Sequence, residues 1–192
     1  MLGWLKPLYE YPVLHWLPHV RFSWGHGGLT GKQYRDGYAH LFPGAILLST
    51  DSMRLSSFLT RGDLDHAALC IAVGDDEEIG EMTAHGYSKC TFYDTCHISD
   101  RVVILRCKDW GEEYAKQVVA KCREMEGVPY DVWFMLGGSA LYCSELPWAC
   151  DTLKKLSIKY SYTLGKALVL PMDIYDSGNC EIVWDSDGPI HE

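Results

Sequence analysis

"LDHAALCIAVGDDEEIGEMT", residues 64–83, decides the fold. From Asp65 to Val73 the chain is almost wholly apolar, too short for an ordinary helix and rich in small and β-branched side chains, which is the signature of a buried strand. Gly74–Asp75–Asp76 is a turn signal, and "EEIGEMT" (77–83) returns. Residues 65–83 therefore read as a β-hairpin. Working outward, "GAILLS" (44–49) and "RVVILRC" (101–107) are further strands, and "DSMRLSSFLTRGD" (51–63) is a connection with a turn at Gly62–Asp63. A helix follows the strand at 101–107. Asp109 is its expected N-cap, with Glu112 three residues on in a variant of the capping box. Tyr114, Val118, Cys122 and Met125 share one face of it with Val119 beside them, and Gly127 and Pro129 end it. "SELPWACDTLKKL" (144–156) reads as a second helix, in which Pro147 is tolerable only within the first turn. "GKALVLPMDIYDS" (165–177) and "CEIVWDSD" (180–187) read as extended segments. The sum is an α+β fold, a mostly antiparallel sheet with helices packed on it.

The 192 residues suit one domain with an appended arm. A hydrophobic content of 47% and a charged content of 22% are those of an ordinary globular chain. A formal charge of −9 and a pI near 5.3 disfavour nucleic-acid partners and anionic membrane surfaces. Pro7, Glu10, Pro12 and His15 interrupt the apolar N-terminus, so it does not read as a signal peptide, and no run approaches the ~18 apolar residues that span a bilayer. The expectation is no stable membrane insertion and, by default, a cytoplasmic protein, with export by another route left open. Residues 1–42 are read as an irregular arm with short helical pieces whose Trp4, Trp16, Phe22 and Trp24 must be buried or face a partner, and 43–192 as the domain. The eight cysteines lie largely in apolar strand and helix positions and read as reduced, mostly buried thiols.

One cysteine stands apart. Cys143, in "SALYCSELPWACDTL" (139–153), falls at the expected start of a helix, after the flexible "LGGSALY". Unpaired N–H groups and partial positive charge at a helix start favour a thiolate, and the same N–H groups can hold an oxyanion. Cys150, about two turns later, reads as a core residue. A thiol nucleophile needs a base, and His66 opens the most apolar strand, where an imidazole can face a helix end packed on the sheet. A third group orients such a base. Glu81, on the returning strand of the hairpin, is within cross-strand reach of it, with His85 and Asp94 as competitors. Two weaker motifs are set aside. "GHGGLTGKQ" (25–33) has His26 and Gln33 where a phosphate loop needs Gly and Ser/Thr. Cys90, Cys96 and His97 lack the paired short spacing of a structural zinc site.

Taken together, "LFPGAILLST", "DHAALCIAVG", "EMTAHGY", "RVVILRC", "PYDVWF", "YCSEL" and "PMDIYDS" resemble the circularly permuted branch of the NlpC-type papain-like cysteine peptidases, the YiiX-like proteins in particular. The resemblance runs from about Pro43 to Ser177. "YCSEL" is its most specific piece, and the order His66, Glu81, Cys143 is that of the permuted branch. It implies a permuted papain-like fold with Cys143 as nucleophile, His66 as base and Glu81 as the orienting group. The implied activity is a cysteine hydrolase that cleaves an amide through an acyl-thioester, with no metal or organic cofactor. The implied partner is a peptide substrate, with cell-wall peptides and peptidoglycan fragments among the expectations. The alternatives are a lipid or ester hydrolase or acyltransferase on the same triad, or a catalytically idle member that binds peptide or lipid.

Overall fold

The structure, a computed structural model, describes residues 28–50, 63–163 and 165–188. The described residues are organised around one six-stranded sheet. Its strands are β1 (Ile46–Thr50), β2 (His66–Ala72), β3 (Glu78–Thr83), β4 (Gly86–Cys90), β5 (Arg101–Cys107) and β8 (Cys180–Asp185), in the order β4-β3-β2-β1-β5-β8. Every neighbouring pair is antiparallel. A separate two-stranded hairpin joins β6 (Ser161–Thr163) to β7 (Lys166–Leu168). The expected hairpin at 65–83 is present, its turn a single 3-10 helical turn at Gly74–Asp76.

Alternation along the strands divides the core into two layers. On the front face Ile46, Leu48, Ala67, Leu69, Ile71, Val103 and Leu105 pack against α3 (Glu112–Arg123) and α4 (Glu145–Cys150) through Val118, Cys122, Leu146 and Cys150. On the back face Ala45, Leu47, Ala68, Cys70, Val102 and Ile104 pack against Phe92, Trp184 and the rings of α1 (Gly31–Ala39). Each fully buried Leu or Ile contributes about 2 kcal/mol by removal from water. Tyr114, Val118, Cys122 and Met125 are all buried, as the helical spacing requires.

Residues 28–42 of the expected arm pack on the back face, where Leu29, Tyr34, Tyr38, Leu41 and Phe42 join the core. Thr30 and Gln33, from the phosphate-loop look-alike, form a capping box: Thr30 N–H donates to Gln33 Oε1 at 2.9 Å and Gln33 N–H to Thr30 Oγ1 at 3.3 Å. Gly37 is buried against Trp184, and an added Cβ would stand 2.9 Å from that indole, so only glycine lets α1 lie this close. Residues 1–27, with Trp4, Trp16, Phe22 and Trp24, and residues 51–62 of the expected connection lie outside the described residues.

Three local expectations are corrected. Gly111, not Asp109, is the N-cap of α3, and Glu112 and Glu113 supply negative charge to its first turn. The second helix spans only Glu145–Cys150, because the Asp151 carboxylate turns back to accept Leu156 N–H at 2.7 Å and the chain leaves the helical path, with Lys154 and Ser157 at positive φ. Pro171–Tyr175 is not extended but forms α5, with proline at its start and Asp173 accepting Leu170 N–H at 2.8 Å. Between β3 and β5 the chain adds β4 and α2 (Phe92–Ile98), the helix capped reciprocally by Thr91 and Asp94.

Candidate active site

Register fixes the first half of the site. Glu81 stands directly opposite Ala68, and His66 is two residues from Ala68, so a carboxylate on β3 meets the ring diagonally across the ladder. Glu81 Oε2 lies 2.8 Å from His66 Nε2, with both side chains about one-fifth exposed (20% and 21%). On its other side Glu81 stands opposite Ser88 of β4, whose hydroxyl donates to Oε1 at 3.5 Å. The competitors are placed elsewhere: Asp94 caps α2 and His85 sits in the β3–β4 turn.

The second half comes from the front face. α4 packs on β2 and brings Cys143 to the point where that strand begins, its Sγ 3.9 Å from Asp65 O. The thiol lies close enough to the His66 ring to raise the ring's pKa. With Nε2 engaged by Glu81, Nδ1 is the nitrogen left for Cys143. Burial pulls the His66 pKa down, but hydrogen bonds and charge from Cys143 and Glu81 outweigh it and raise it to about 10. A ring that keeps its proton so strongly is suited to be the imidazolium half of an ion pair.

The residues flanking Cys143 hold it in place. Tyr142 and Ser144 are both buried and clasp one residue, Val169, just before α5. Val169 N–H donates to the Tyr142 hydroxyl at 2.9 Å, and the Ser144 hydroxyl donates to Val169 O at 2.6 Å. Pro147 is the third residue of α4, within the turn where no N–H is owed to the helix ladder, so the helix accommodates it. Cys150 is fully buried in the front core, as expected of a packing residue. Among the described residues the Cys143 N–H has no hydrogen-bond acceptor, which leaves it available to a ligand.

The sequence reading missed Ser88, Tyr142 and Ser144. Ser88 was reachable by counting across a β3–β4 hairpin, since it stands opposite Glu81. The clasp on Val169 had no local signal, because its partner lies 25 and 27 residues away. Cys90, Cys96 and His97 do not converge: Cys90 Sγ lies 3.9 Å from Thr95 Oγ1, Cys96 is buried in the back core, and the His97 ring stacks on Tyr93.

Comparison with known proteins bears on the fold and the family. A solved structure described as the crystal structure of metalloprotein yiiX from Escherichia coli O157:H7 is similar in fold, with a TM-score of 0.62 at 14% identity over 73% of this chain and 94% of that one. The word metalloprotein belongs to that structure; among the described residues here, no three His, Cys, Asp or Glu side chains converge as metal ligands would. The chain has no match among the curated proteins compared. Nor do its described residues contain a helix long and apolar enough to cross a membrane. A model of the permuted papain-like amidase enzymes, YaeF/YiiX, C92 family, matches residues 40–183, a span that takes in His66, Glu81 and Cys143, and the chain belongs to that family of thiol-dependent hydrolases.

Proposed function

We propose that this protein cleaves an amide bond with Cys143 as nucleophile, His66 as general base and acid, and Glu81 as the group that orients the ring. The observation that carries this reading is the position of His66, bonded through Nε2 to Glu81 at 2.8 Å at the start of the strand where Cys143 Sγ meets Asp65 O, with Cys143 among the causes of its raised pKa. In the first step Cys143 Sγ, its proton already given to His66, attacks the carbonyl carbon and an S–C bond forms. The carbonyl oxygen becomes an oxyanion, for which the Cys143 N–H is the donor at hand. Collapse breaks the C–N bond, His66 protonates the departing amine, and an acyl-thioester remains. Water then attacks that carbonyl while His66 takes its proton. The second tetrahedral species collapses to release the acid and restore the thiol. Glu81 holds the ring in one tautomer and balances the imidazolium charge.

Peptides are the substrates this reading favours, cell-wall peptides among them, because the family is one of amidases. An ester or lipid acyl substrate would follow the same steps with an alcohol as leaving group. Exposed apolar side chains favour keeping it in view: Trp133 and Met135 lie in the loop before Cys143, and Tyr162 is 78% exposed on a hairpin whose Lys166 bonds Trp133 O. The test is a hydrolysis screen with peptide, peptidoglycan-fragment and phospholipid substrates, with Cys143→Ala as control, beside iodoacetamide labelling of the folded protein. Preferential labelling of Cys143, abolished in His66→Ala, is expected. A Cys143 that labels no faster than Cys150 or Cys90 would refute the nucleophile and leave an idle binding protein.

A further inference from the structure

The chain enters Cys143 from a loop, residues 131–141, that is shaped from within by two buried carboxylates. Its ends are tied together: Tyr130 and Leu141 form a parallel bridge, Asp131 N–H donates to Leu141 O at 2.9 Å, and Leu141 N–H donates to Pro129 O at 3.1 Å. Inside, Asp131 accepts Trp133 N–H at 2.8 Å through Oδ1 and Met135 N–H through Oδ2. Glu145, the first residue of α4, accepts Gly137 N–H at 2.6 Å through Oε1. Three alternate amides, at 133, 135 and 137, thus all end on carboxylate oxygen. Glu145 is fully buried, and its second oxygen, Oε2, is sealed from solvent without a hydrogen-bond partner among the described residues. Leaving such an oxygen unserved is costly, so a purely structural position would be better filled by an apolar residue or by glutamine.

We propose that Glu145 is a positioning residue for the Cys143 nucleophile, clamping the 131–141 loop by its bond to Gly137 and tightening or loosening that loop with its own ionisation. The inference rests on the assignment of Cys143 above. Burial raises the Glu145 pKa most, and Asp131 adds to this; the Gly137 and Tyr142 amides oppose them, and the result is about 7. The charged and titratable groups set around it are Asp131 across the loop, the buried Tyr142 phenol, Cys143 itself, and Lys166 of β7, which bonds the outside of the loop at Trp133 O. Above neutrality the carboxylate is charged and grips the Gly137 N–H as a charge-assisted bond. Below it the neutral acid is a weaker acceptor, and the loop loosens.

The test follows hydrogen exchange of the Gly137 amide and the rate of Cys143 alkylation by iodoacetamide, each from pH 5.5 to 8.5, in the full chain and in Glu145→Gln. In the wild type, protection of Gly137, corrected for intrinsic exchange, is expected to fall about fivefold as pH drops through neutrality, the difference between a charged and a neutral hydrogen bond. Glutamine keeps an acceptor and cannot ionise, so its Gly137 protection should be flat and the matching step in Cys143 alkylation should vanish. Glu145→Asp, which withdraws the carboxylate by one methylene, should slow alkylation by roughly tenfold at pH 8, a loss typical of a displaced catalytic framework. A flat wild-type profile, or a step that survives in Glu145→Gln, overturns the clamp. Unchanged alkylation in Glu145→Asp overturns its service to the nucleophile. These results differ from failure of the catalytic reading, in which wild-type Cys143 labels no faster than Cys150 or Cys90.

Discussion

The two halves of the site are built by different means. His66, Glu81 and Ser88 stand on three neighbouring antiparallel strands, and their meeting is a consequence of register. Cys143 stands where a loop becomes a six-residue helix, and it is placed by side chains that reach backbone: Tyr142 and Ser144 to Val169, Asp131 and Glu145 to the preceding loop. In the ladder each backbone bond is supported by the next. In the loop each hydrogen bond stands nearly alone, so single substitutions should act more sharply on how Cys143 is held than on how His66 is held.

The largest effects test whether the halves act as one unit. Cys143→Ala should lower amide hydrolysis by on the order of 10⁴-fold or more, measured as kcat/KM on a substrate from the screen, with folding retained because the side chain is small and partly exposed. Glu81→Gln should come next, at about 10²-fold, since it frees the ring tautomer and removes the balancing charge. It should also lower the His66 pKa. The raised His66 pKa stabilises the fold fully below about pH 6.5, and this contribution is lost as pH rises toward about 10. In Glu81→Gln the loss should be smaller and complete at lower pH, read from denaturation midpoints at pH 6 and 9. If midpoints and hydrolysis both match the wild type, Glu81 is a bystander of the ladder.

Glu145 also loses stability as pH rises, but as a penalty on its charged form. Its pKa is raised in the folded chain, from 4.5 to about 7, so the folded state resists its ionisation and loses stability as pH climbs through that interval. Glu145→Gln should therefore be more stable than the wild type at pH 8, by roughly 3 kcal/mol at about 1.4 kcal/mol per pKa unit, and close to it at pH 4.5. Urea denaturation at the two pH values measures this. A variant equally stable or less stable at pH 8 would mean that the buried carboxylate carries no such cost. Ser144→Ala leaves Val169 O without its donor in a buried place and should cost about 2 kcal/mol. Its activity should fall further than its stability explains, because the clasp aims the neighbouring thiol.

The same division governs what could be read from the sequence. The strands at 65–83, 44–49 and 101–107 announce themselves because a sheet covered on both faces demands continuous apolar runs. His66 and Glu81 follow from counting along one hairpin. Cys143 is visible as a cysteine at a helix entrance. What holds it there is not, because Tyr142, Ser144 and Asp131 are ordinary residues whose partners are backbone groups fixed only by tertiary structure. The helices were misjudged for the same reason: Asp151 and Asp173 redirect the chain through their own side chains, and a periodicity argument has no place for such bonds.

Ser88→Ala should give the smallest effect, and it probes the ladder side at its weakest link. The Ser88 hydroxyl reaches Glu81 Oε1 at 3.5 Å, a long bond, whereas Glu81 Oε2 meets His66 at 2.8 Å. If register alone positions Glu81, the carboxylate stays where the β2–β3 pairing puts it when the serine is lost, and kcat/KM should fall no more than about threefold, the worth of one weak neutral hydrogen bond. A loss approaching that of Glu81→Gln would show that the carboxylate is held by its side-chain partner. The strand half of the site would then depend on single hydrogen bonds just as the loop half does, and the contrast between the two would fail.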